Sequence, residues 1–342
     1  MTTVTKGVFQ QKWGGQDVLR FGEMPLPSLN PTDILVRNYA SGTNPVDYKA
    51  REGFDPSAPI DPARPVVLGW DGAGVVEAVG SAVTKFQVGD AVMYAGDLTR
   101  PGSYSELTVV DARITAFKPK TLTFAEASTI PLVALTAMEC IKEIIHAEEG
   151  ETILIFNGAG GVGSFAIQYA KAMGLKVIAT ASRPETIQWV KDLGADTVVN
   201  HRESVPEQLE AAGVSFNHLL HLRDCEQLPE LIKAMAPFGT AAMIGIPSTE
   251  VMASIDTMNM FFNRKSMGLE IMFARSSTGV KPEKQGALLR EVAALIDAGK
   301  IKHTITSELP MENVKEAHQL LEAGRAMGKT VLIIDEVKAH EK

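Results

Sequence analysis

The stretch Thr152-Ile-Leu-Ile-Phe-Asn-Gly-Ala-Gly-Gly-Val-Gly-Ser164 decides how this chain folds. It begins with an apolar run of the length of a buried strand, which a Gly-x-Gly-x-x-Gly turn follows. Residues 165–174 then have the pattern of a helix. A glycine turn between a parallel strand and a helix lets the backbone approach a diphosphate, whose charge lies against the helix N-terminus. The segment therefore predicts a nucleotide-binding turn.

Each glycine of this turn has an expected role. Gly158 permits the tight turn, Gly160 leaves room for the pyrophosphate, and Gly163 lets helix and strand pack closely. The predicted cofactor contacts in the turn are Gly158, Ala159, Gly160, Gly161, Val162 and Gly163.

The bulk composition bounds the class of protein. A chain of 342 residues exceeds the usual size of one hydrophobic core, so we expect two domains. The net charge of −8 argues against nucleic-acid partners and anionic membranes. We find no apolar run approaching the roughly 20 residues that span a bilayer and no signal-peptide layout at Met1. Cys140 and Cys225 cannot build a disulfide framework, which favours the cytoplasm.

The pattern of elements changes once along the chain. Residues 4–118 contain short β-rich runs separated by Gly and Pro, typical of an antiparallel barrel or sandwich, with a helix near 45–52. From about residue 124, helices and strands alternate, which predicts right-handed βαβ crossovers and a doubly wound parallel sheet of α/β type. We expect a β-rich domain over 1–124, a Rossmann domain over 125–273 and a return segment over 274–342 that completes the first domain.

The end of the second predicted strand indicates which dinucleotide binds. NAD sites usually carry an acidic residue there, but no Asp or Glu occurs from Ser164 through Pro184. The strand 176–180 instead leads to Ser182 and Arg183, and an arginine can pair with a 2′-phosphate. We therefore expect NADP rather than NAD. The alternative is that Arg183 only decorates a helix start.

Two other motifs do not meet their structural requirements. Residues 324–330 resemble a P-loop but are one residue short of its spacing, and they follow a helix and precede a strand. We interpret them as a helix C-cap and turn. No serine has glycine at both −2 and +2, so the nucleophile elbow of α/β-hydrolases is absent.

The chain resembles the medium-chain dehydrogenase/reductase superfamily over nearly its whole length. The motifs that carry the resemblance are Gly69-Trp-Asp-Gly-Ala-Gly-Val-Val-Glu-Ala-Val-Gly, Val88-Gly-Asp-Ala-Val, Gly102-Ser-Tyr-Ser-Glu and Asn157-Gly-Ala-Gly-Gly-Val-Gly. Residues 41–49 look like the zinc-independent quinone oxidoreductase branch, and residues 94–103 are similar to a bacterial subgroup labelled zinc-type alcohol dehydrogenase-like. The resemblance implies a GroES-like catalytic domain beside the Rossmann domain. It also implies a homodimer or homotetramer, formed through the last coenzyme-domain strand near 267–273.

The resemblance also bears on metal binding. Zinc-dependent relatives have Cys where this chain has Asn44, Gly-His-Glu where it has Gly69-Trp70-Asp71, and a third ligand near Leu132. Residues 90–111, where the structural zinc lobe would lie, contain no Cys. Catalytic zinc needs about three protein ligands with nitrogen or sulfur character, which Asn44, Trp70 and Leu132 cannot supply, so we expect no metal.

A second candidate metal cluster combines two histidines and a cysteine. His218 and His221 lie in a predicted strand, where residues three apart face opposite sides. They cannot converge with Cys225 on one ion, so we expect them to pack in the sheet.

Without zinc, the resemblance implies hydride transfer from NADPH to a quinone or an α,β-unsaturated carbonyl. It places Asn44 beside the nicotinamide and Thr136 against the cofactor. Tyr48 and Lys49 are candidate proton donors for the product oxygen, although Tyr48 could equally be a packing contact and Lys49 a solvent-facing charge.

The remaining cofactor contacts rest on family position. His201 would assist Arg183 at the 2′-phosphate, unless it is only an exposed loop residue, while Gly245, Ile246 and Phe273 would border the nicotinamide half. Two other functions stay open: a true zinc-dependent alcohol dehydrogenase, and an NADPH-binding protein without catalysis.

Overall fold

The computed structural model describes residues 4–55, 57–61, 63–223 and 226–342. Its internal contacts divide the chain into two units. The first unit comprises Met1–Leu132, Phe273–Gly299 and His303–Lys342, and the second comprises Val133–Met272 and Lys300–Lys302. The first boundary falls later than residue 124, because Phe124 packs edge-on against Tyr39 of the first unit, with ring centroids 4.8 Å apart. The domain limits inferred from sequence stay predictions.

The second unit is built around a parallel sheet. Its strands are β9 (Thr152–Phe156), β10 (Lys176–Thr180), β11 (Thr197–Val199), β12 (His218–His221), β13 (Thr240–Met243) and β14 (Ser266–Leu269). The strand order is β11–β10–β9–β12–β13–β14, and each neighbouring pair is parallel. The chain moves outward from β9 in both directions, which confirms the doubly wound sheet. The switch point lies at β9, and the glycine turn follows β9 directly.

Helices cover both faces of this sheet. They are α3 (Pro131–Met138), α4 (Gly161–Ala172), α5 (Pro184–Asp192), α6 (Val205–Ala211), α7 (Leu228–Ala234), α8 (Thr249–Ala253) and α9 (Thr257–Phe262). On one side, Leu154, Ile178 and Leu219 of the strands pack with Leu209 and Leu231 of helices α6 and α7 in one buried cluster.

The histidines of β12 are sheet residues. His218 bonds through Nε2 to Glu151 at 2.9 Å, and His221 stacks on Phe156 with centroids 5.1 Å apart. Cys225, the third member of the candidate metal cluster, lies outside the described residues.

The first unit is β-rich, as expected. Its strands are β1 (Val4–Gln10), β2 (Arg20–Pro25), β3 (Asp33–Gly42), β4 (Val66–Val67), β5 (Asp71–Val79), β6 (Ala91–Ala95), β7 (Leu107–Asp111), β8 (Thr115–Phe117), β15 (Ile305–Pro310) and β16 (Lys329–Ile333). Its helices are α1 (Pro45–Glu52), α2 (Phe124–Ala127), α10 (Ala274–Thr278), α11 (Glu283–Asp297) and α12 (Val314–Glu322). One sheet runs β15–β16–β3–β5–β6–β8 with β7 on β3, and a smaller one runs β2–β1–β4. The return segment adds β16 antiparallel to β3, so both ends of the chain build the larger sheet.

One expectation about apolar runs was wrong. The helical stretch Phe124–Ile145 is long and apolar enough to cross a membrane by length and composition, with a mean hydropathy of 1.4 over its most apolar 18 residues. In the structure, however, 94% of its most apolar window is buried, as in the core helix of a globular fold. Its last part, Glu139–Ile145, widens into a π-helix.

Candidate functional site

In the turn after β9, the residue that makes the turn tight is not the expected one. Asn157, not Gly158, has the left-handed backbone, with φ of 67°. Asparagine tolerates this conformation, and its N–H donates to Thr180 Oγ1 at 2.8 Å. Gly158 is needed for a different reason: a Cβ there would lie 2.9 Å from the Cβ of Ala179 in the neighbouring strand. The turn therefore packs directly on β10.

The start of helix α4 forms the rest of the predicted diphosphate site. Gly160 is its N-cap, and its first turn contains no acidic residue that would neutralise the helix N-terminus. A Cβ on Gly163 would lie 2.6 Å from the carbonyl oxygen of Asn157, so only glycine fits there. The first N–H groups of a helix lack intrahelical acceptors, and the half-buried Gly161 and Val162 present theirs here. Bare backbone and an uncompensated positive helix end fit a dinucleotide diphosphate.

Arg183 follows the carboxyl end of β10, the position at which a Rossmann fold would bind the 2′-phosphate of NADP. It is the N-cap of α5, and both it and Ser182 are half-buried. Its Nε lies 3.0 Å from Glu185 Oε1. The stretch without Asp or Glu therefore ends just before Glu185, whose carboxylate pairs with Arg183. The sequence spacing did not reveal this ion pair.

His201 follows β11, the strand that neighbours β10, so it lies at the same edge of the sheet as the end of β10. Its Nδ1 is 3.2 Å from Thr180 Oγ1, and its ring packs on Phe156. Burial lowers the pKa of His201, and the charges of Arg223 and Arg202 lower it further. Both arginines were missed in the sequence: Arg202 directly follows His201, whereas Arg223 follows β12 and only the fold brings its charge near this histidine.

Four other predicted contacts lie on different elements. Thr136 is buried in α3, and Gly245 and Ile246 follow β13, where Ile246 is 86% exposed. Phe273 belongs to the first unit, where its ring packs edge-on against Trp70 at 5.8 Å. The structure thus gathers the glycine turn, Arg183 and His201 around Thr180.

The first unit contains a buried polar cluster centred on Lys329. The Lys329 ammonium donates to the carbonyl oxygen of Thr43 at 2.8 Å, to Asn44 Oδ1 at 2.6 Å and to Asp71 Oδ2 at 3.1 Å. Asn44 Nδ2 donates to the same Asp71 oxygen at 2.8 Å. Lys329, Asn44 and Asp71 are each at most 3% exposed. Asn44, predicted as a catalytic residue, therefore has its amide held on both sides by buried charged groups.

This donor set does not fit zinc. Asn44 and Asp71 are already bound to an ammonium, whose positive charge opposes a second cation. The indole N–H of Trp70 donates to the carbonyl oxygen of Asp97, and Leu132 offers only its backbone N–H, to Asp71 Oδ1. Across residues 4–55, 57–61, 63–223 and 226–342, no three His, Cys, Asp or Glu side chains are grouped as metal ligands would be.

Lys329 belongs to the P-loop-like stretch that we set aside. The turn interpretation holds for Gly324 and Gly328, whose φ values are 62° and 60°. The lysine itself opens β16 and is buried. The sequence signal that could have identified this buried cluster is a lysine at the start of an apolar strand. A charge buried there requires a partner elsewhere in the chain.

A second buried acid organises helix α1. Asp47 Oδ2 accepts hydrogen bonds from the Asn44 backbone N–H and the Tyr104 hydroxyl, each at 2.7 Å. Burial raises the pKa of Asp47 to about 7, although these hydrogen bonds and the Lys329 charge oppose the shift. Helix α1 also carries the half-buried Tyr48 and the exposed Lys49. Of the two proposed donors, Tyr48 is the one partly shielded from water.

We predict that Lys329→Met destabilises the protein by about 3–5 kcal/mol, because Asp71 would be left as an uncompensated buried charge. Adding Asp71→Asn should recover much of that loss. Urea unfolding of both single variants and the double variant measures the coupling. Lys120→Met, at an exposed position, is the matched control. Strictly additive single losses would contradict the ion pair.

Comparison with known proteins agrees with this architecture. Residues 30–120 match the model of the alcohol dehydrogenase GroES-like domain, and residues 193–332 match that of a zinc-binding dehydrogenase. A zinc-type alcohol dehydrogenase-like protein of Staphylococcus aureus is 35% identical, with 91% of this chain and 94% of the relative covered. A quinone oxidoreductase of Pseudomonas aeruginosa is 33% identical over 94% of this chain and 97% of its own length.

A mycobacterial protein solved with NADPH has a similar structure, with a TM-score of 0.82 and 27% identity. The superposition covers 96% of this chain and 100% of that one. The chain therefore belongs to the medium-chain dehydrogenase/reductase superfamily and is an oxidoreductase of a family that binds a nicotinamide cofactor.

Proposed function

We propose that this protein is a zinc-independent reductase that transfers hydride from NADPH to a quinone or an α,β-unsaturated carbonyl. The observation that carries the proposal is the Lys329 ammonium bound to Asn44 and Asp71, in the segments where zinc-dependent relatives have ligands. Without a Lewis acid, the acceptor must already be electrophilic. Similarity to a quinone oxidoreductase supports this substrate class.

NADPH is the cofactor that we propose for the second unit. The N-terminus of α4 would hold the diphosphate. Arg183 and His201 would hold the 2′-phosphate, with Arg202 and Arg223 adding positive charge. The similar mycobacterial structure contains NADPH, which supports the same choice here. A cytoplasmic location would supply this cofactor.

The residues of the first unit would complete the reaction. The bound cofactor supplies the hydride, and the protein stabilises the oxyanion that develops on the acceptor. The Tyr48 hydroxyl would donate the proton to that oxygen, with Lys49 as the alternative donor. Asn44 and Asp47 fix the start of the helix that carries both residues.

The proposed activity is tested with a panel of quinones and enones. We expect NADPH oxidation that survives prolonged treatment with a zinc chelator, together with less than one bound zinc per chain. Turnover of simple alcohols that disappears with the chelator would instead establish the zinc-dependent alcohol dehydrogenase that the matching family model suggests. Tight NADPH binding without turnover of any acceptor would establish a binding protein.

Cofactor choice is tested at Arg183. We predict that Arg183→Ala weakens NADPH binding by roughly tenfold and leaves NADH binding nearly unchanged, because only NADPH carries the paired phosphate. Fluorescence titration with both cofactors measures this. Arg290→Ala, at an exposed position of α11, is the control. Equal loss for both cofactors would contradict the assignment.

We also propose that the protein forms a homodimer through β14, the edge strand of the parallel sheet. Met267 and Leu269 of β14 are 38% and 60% exposed, and Ile271, two residues after the strand, is 58% exposed. Phe261 and Phe262 on the preceding helix α9 are each 74% exposed. An apolar edge with unpaired backbone groups is a template for pairing with a second strand, which a second copy would satisfy.

Leu269→Asp tests this interface. By light scattering after gel filtration, the wild-type protein should have twice the chain mass of 36.8 kDa, and the variant should have the mass of one chain. Phe54→Asp, at another exposed aromatic residue in the first unit, should keep the dimer. A monomeric wild type, or a dimeric Leu269→Asp variant, would rule out the interface.

A further inference from the structure

A groove of about 640 Å³ lies within the first unit, and none of the proposed catalytic residues lines it. Three segments form its walls: residues 24–28 after β2, residues 63–67 around β4, and residues 98–101, with Trp70 as a fourth contributor. The volume is within the range of about 300–1,000 Å³ that small-molecule sites occupy.

The accessible apolar surface of the groove comes from two leucines. Leu26 and Leu98 line the groove and are half-buried. Trp70 also belongs to the lining but is only 3% exposed, with its indole N–H bonded to the carbonyl oxygen of Asp97 at 3.0 Å and Phe273 packed edge-on against it. An apolar molecule would therefore contact the two leucines, beside an indole ring that is already fixed.

The polar character of the groove comes from two arginines with different surroundings. Arg100 is held by both oxygens of Asp33, each at 2.9 Å, so its charge is matched within the protein. Arg64 is exposed, and no carboxylate pairs with it in the part of the chain that the structure describes. The described lining contains no Asp or Glu. One unmatched guanidinium therefore lies beside an apolar surface.

We propose that this groove binds a small amphipathic carboxylate, with an apolar ring system against Leu26 and Leu98 and its carboxylate on Arg64. A planar guanidinium pairs with a carboxylate through two parallel hydrogen bonds, which gives direction as well as affinity. The described lining belongs to the first unit alone, and the proposal does not depend on hydride transfer being the activity of the protein.

Calorimetric titration with 2-naphthoate and with its neutral isostere 2-naphthamide tests the site. For the wild type, saturated with NADPH to occupy the cofactor site, we expect naphthoate to bind at least tenfold more tightly than naphthamide. Arg64→Ala should remove that preference by weakening naphthoate alone. Leu98→Glu should weaken naphthoate more than naphthamide, because it places a carboxylate in the groove.

Arg290→Ala is the matched control, since it removes an exposed arginine from α11, and it should leave both affinities unchanged. Absence of naphthoate binding to the wild type would overturn the proposal. So would binding that NADPH abolishes, or that both Arg64→Ala and Leu98→Glu leave intact. The readout is binding, so failure here does not bear on the proposed reductase activity.

Discussion

The Lys329 ammonium is the interaction on which the first unit depends. A buried charge is tolerated only where it is paired and its hydrogen-bonding groups are satisfied. Lys329 meets this condition with all three of its N–H groups, which bind Thr43, Asn44 and Asp71. Because these residues lie on β16, on the loop before α1 and on β5, a single side chain joins the return segment to the earlier part of the sheet. Displacing any of the three segments would leave charge or polar atoms unsatisfied.

That constraint propagates into helix α1. Asn44 is held through its side chain by Lys329 and Asp71, and through its backbone N–H by Asp47. The helix begins at the next residue, so its direction and the positions of Tyr48 and Lys49 follow from the cluster. Tyr104 closes the arrangement by donating to Asp47. The helix that carries the proposed proton donor is thus oriented by Lys329, Asp71, Asp47 and Tyr104. None of these four residues was predicted from the sequence as a partner of that donor.

Elements that a local pattern specifies could be predicted from the sequence, whereas contacts between distant residues could not. The bounds of β9, β10 and α1 agree with prediction, because an apolar run between turn residues, or a proline at a helix start, specifies each one locally. Strand β15 was missed because its half-buried, alternating pattern is short and depends on β16. Lys329 was assigned to a turn, since its partners lie more than 250 residues earlier in the chain. Arg183 was predicted as a cofactor contact, and this stays a prediction, but its pairing with Glu185 requires side-chain geometry that spacing does not supply.

The same reasoning explains how one family can include zinc-type and quinone-reducing proteins. In this chain the fold brings residue 44 next to residue 71, and their side chains are hydrogen-bonded. Ligands with free nitrogen, sulfur or carboxylate donors at those places would gather a metal ion, which can polarise an alcohol or a carbonyl. Here an amide and a carboxylate surround an ammonium, so the positive charge is supplied by the chain and is fully hydrogen-bonded inside it. Such a charge positions its neighbours but has no open coordination position for a substrate oxygen. Under the proposed function, chemistry beside it depends on an acceptor that needs no metal, which is the property that quinones and enones share.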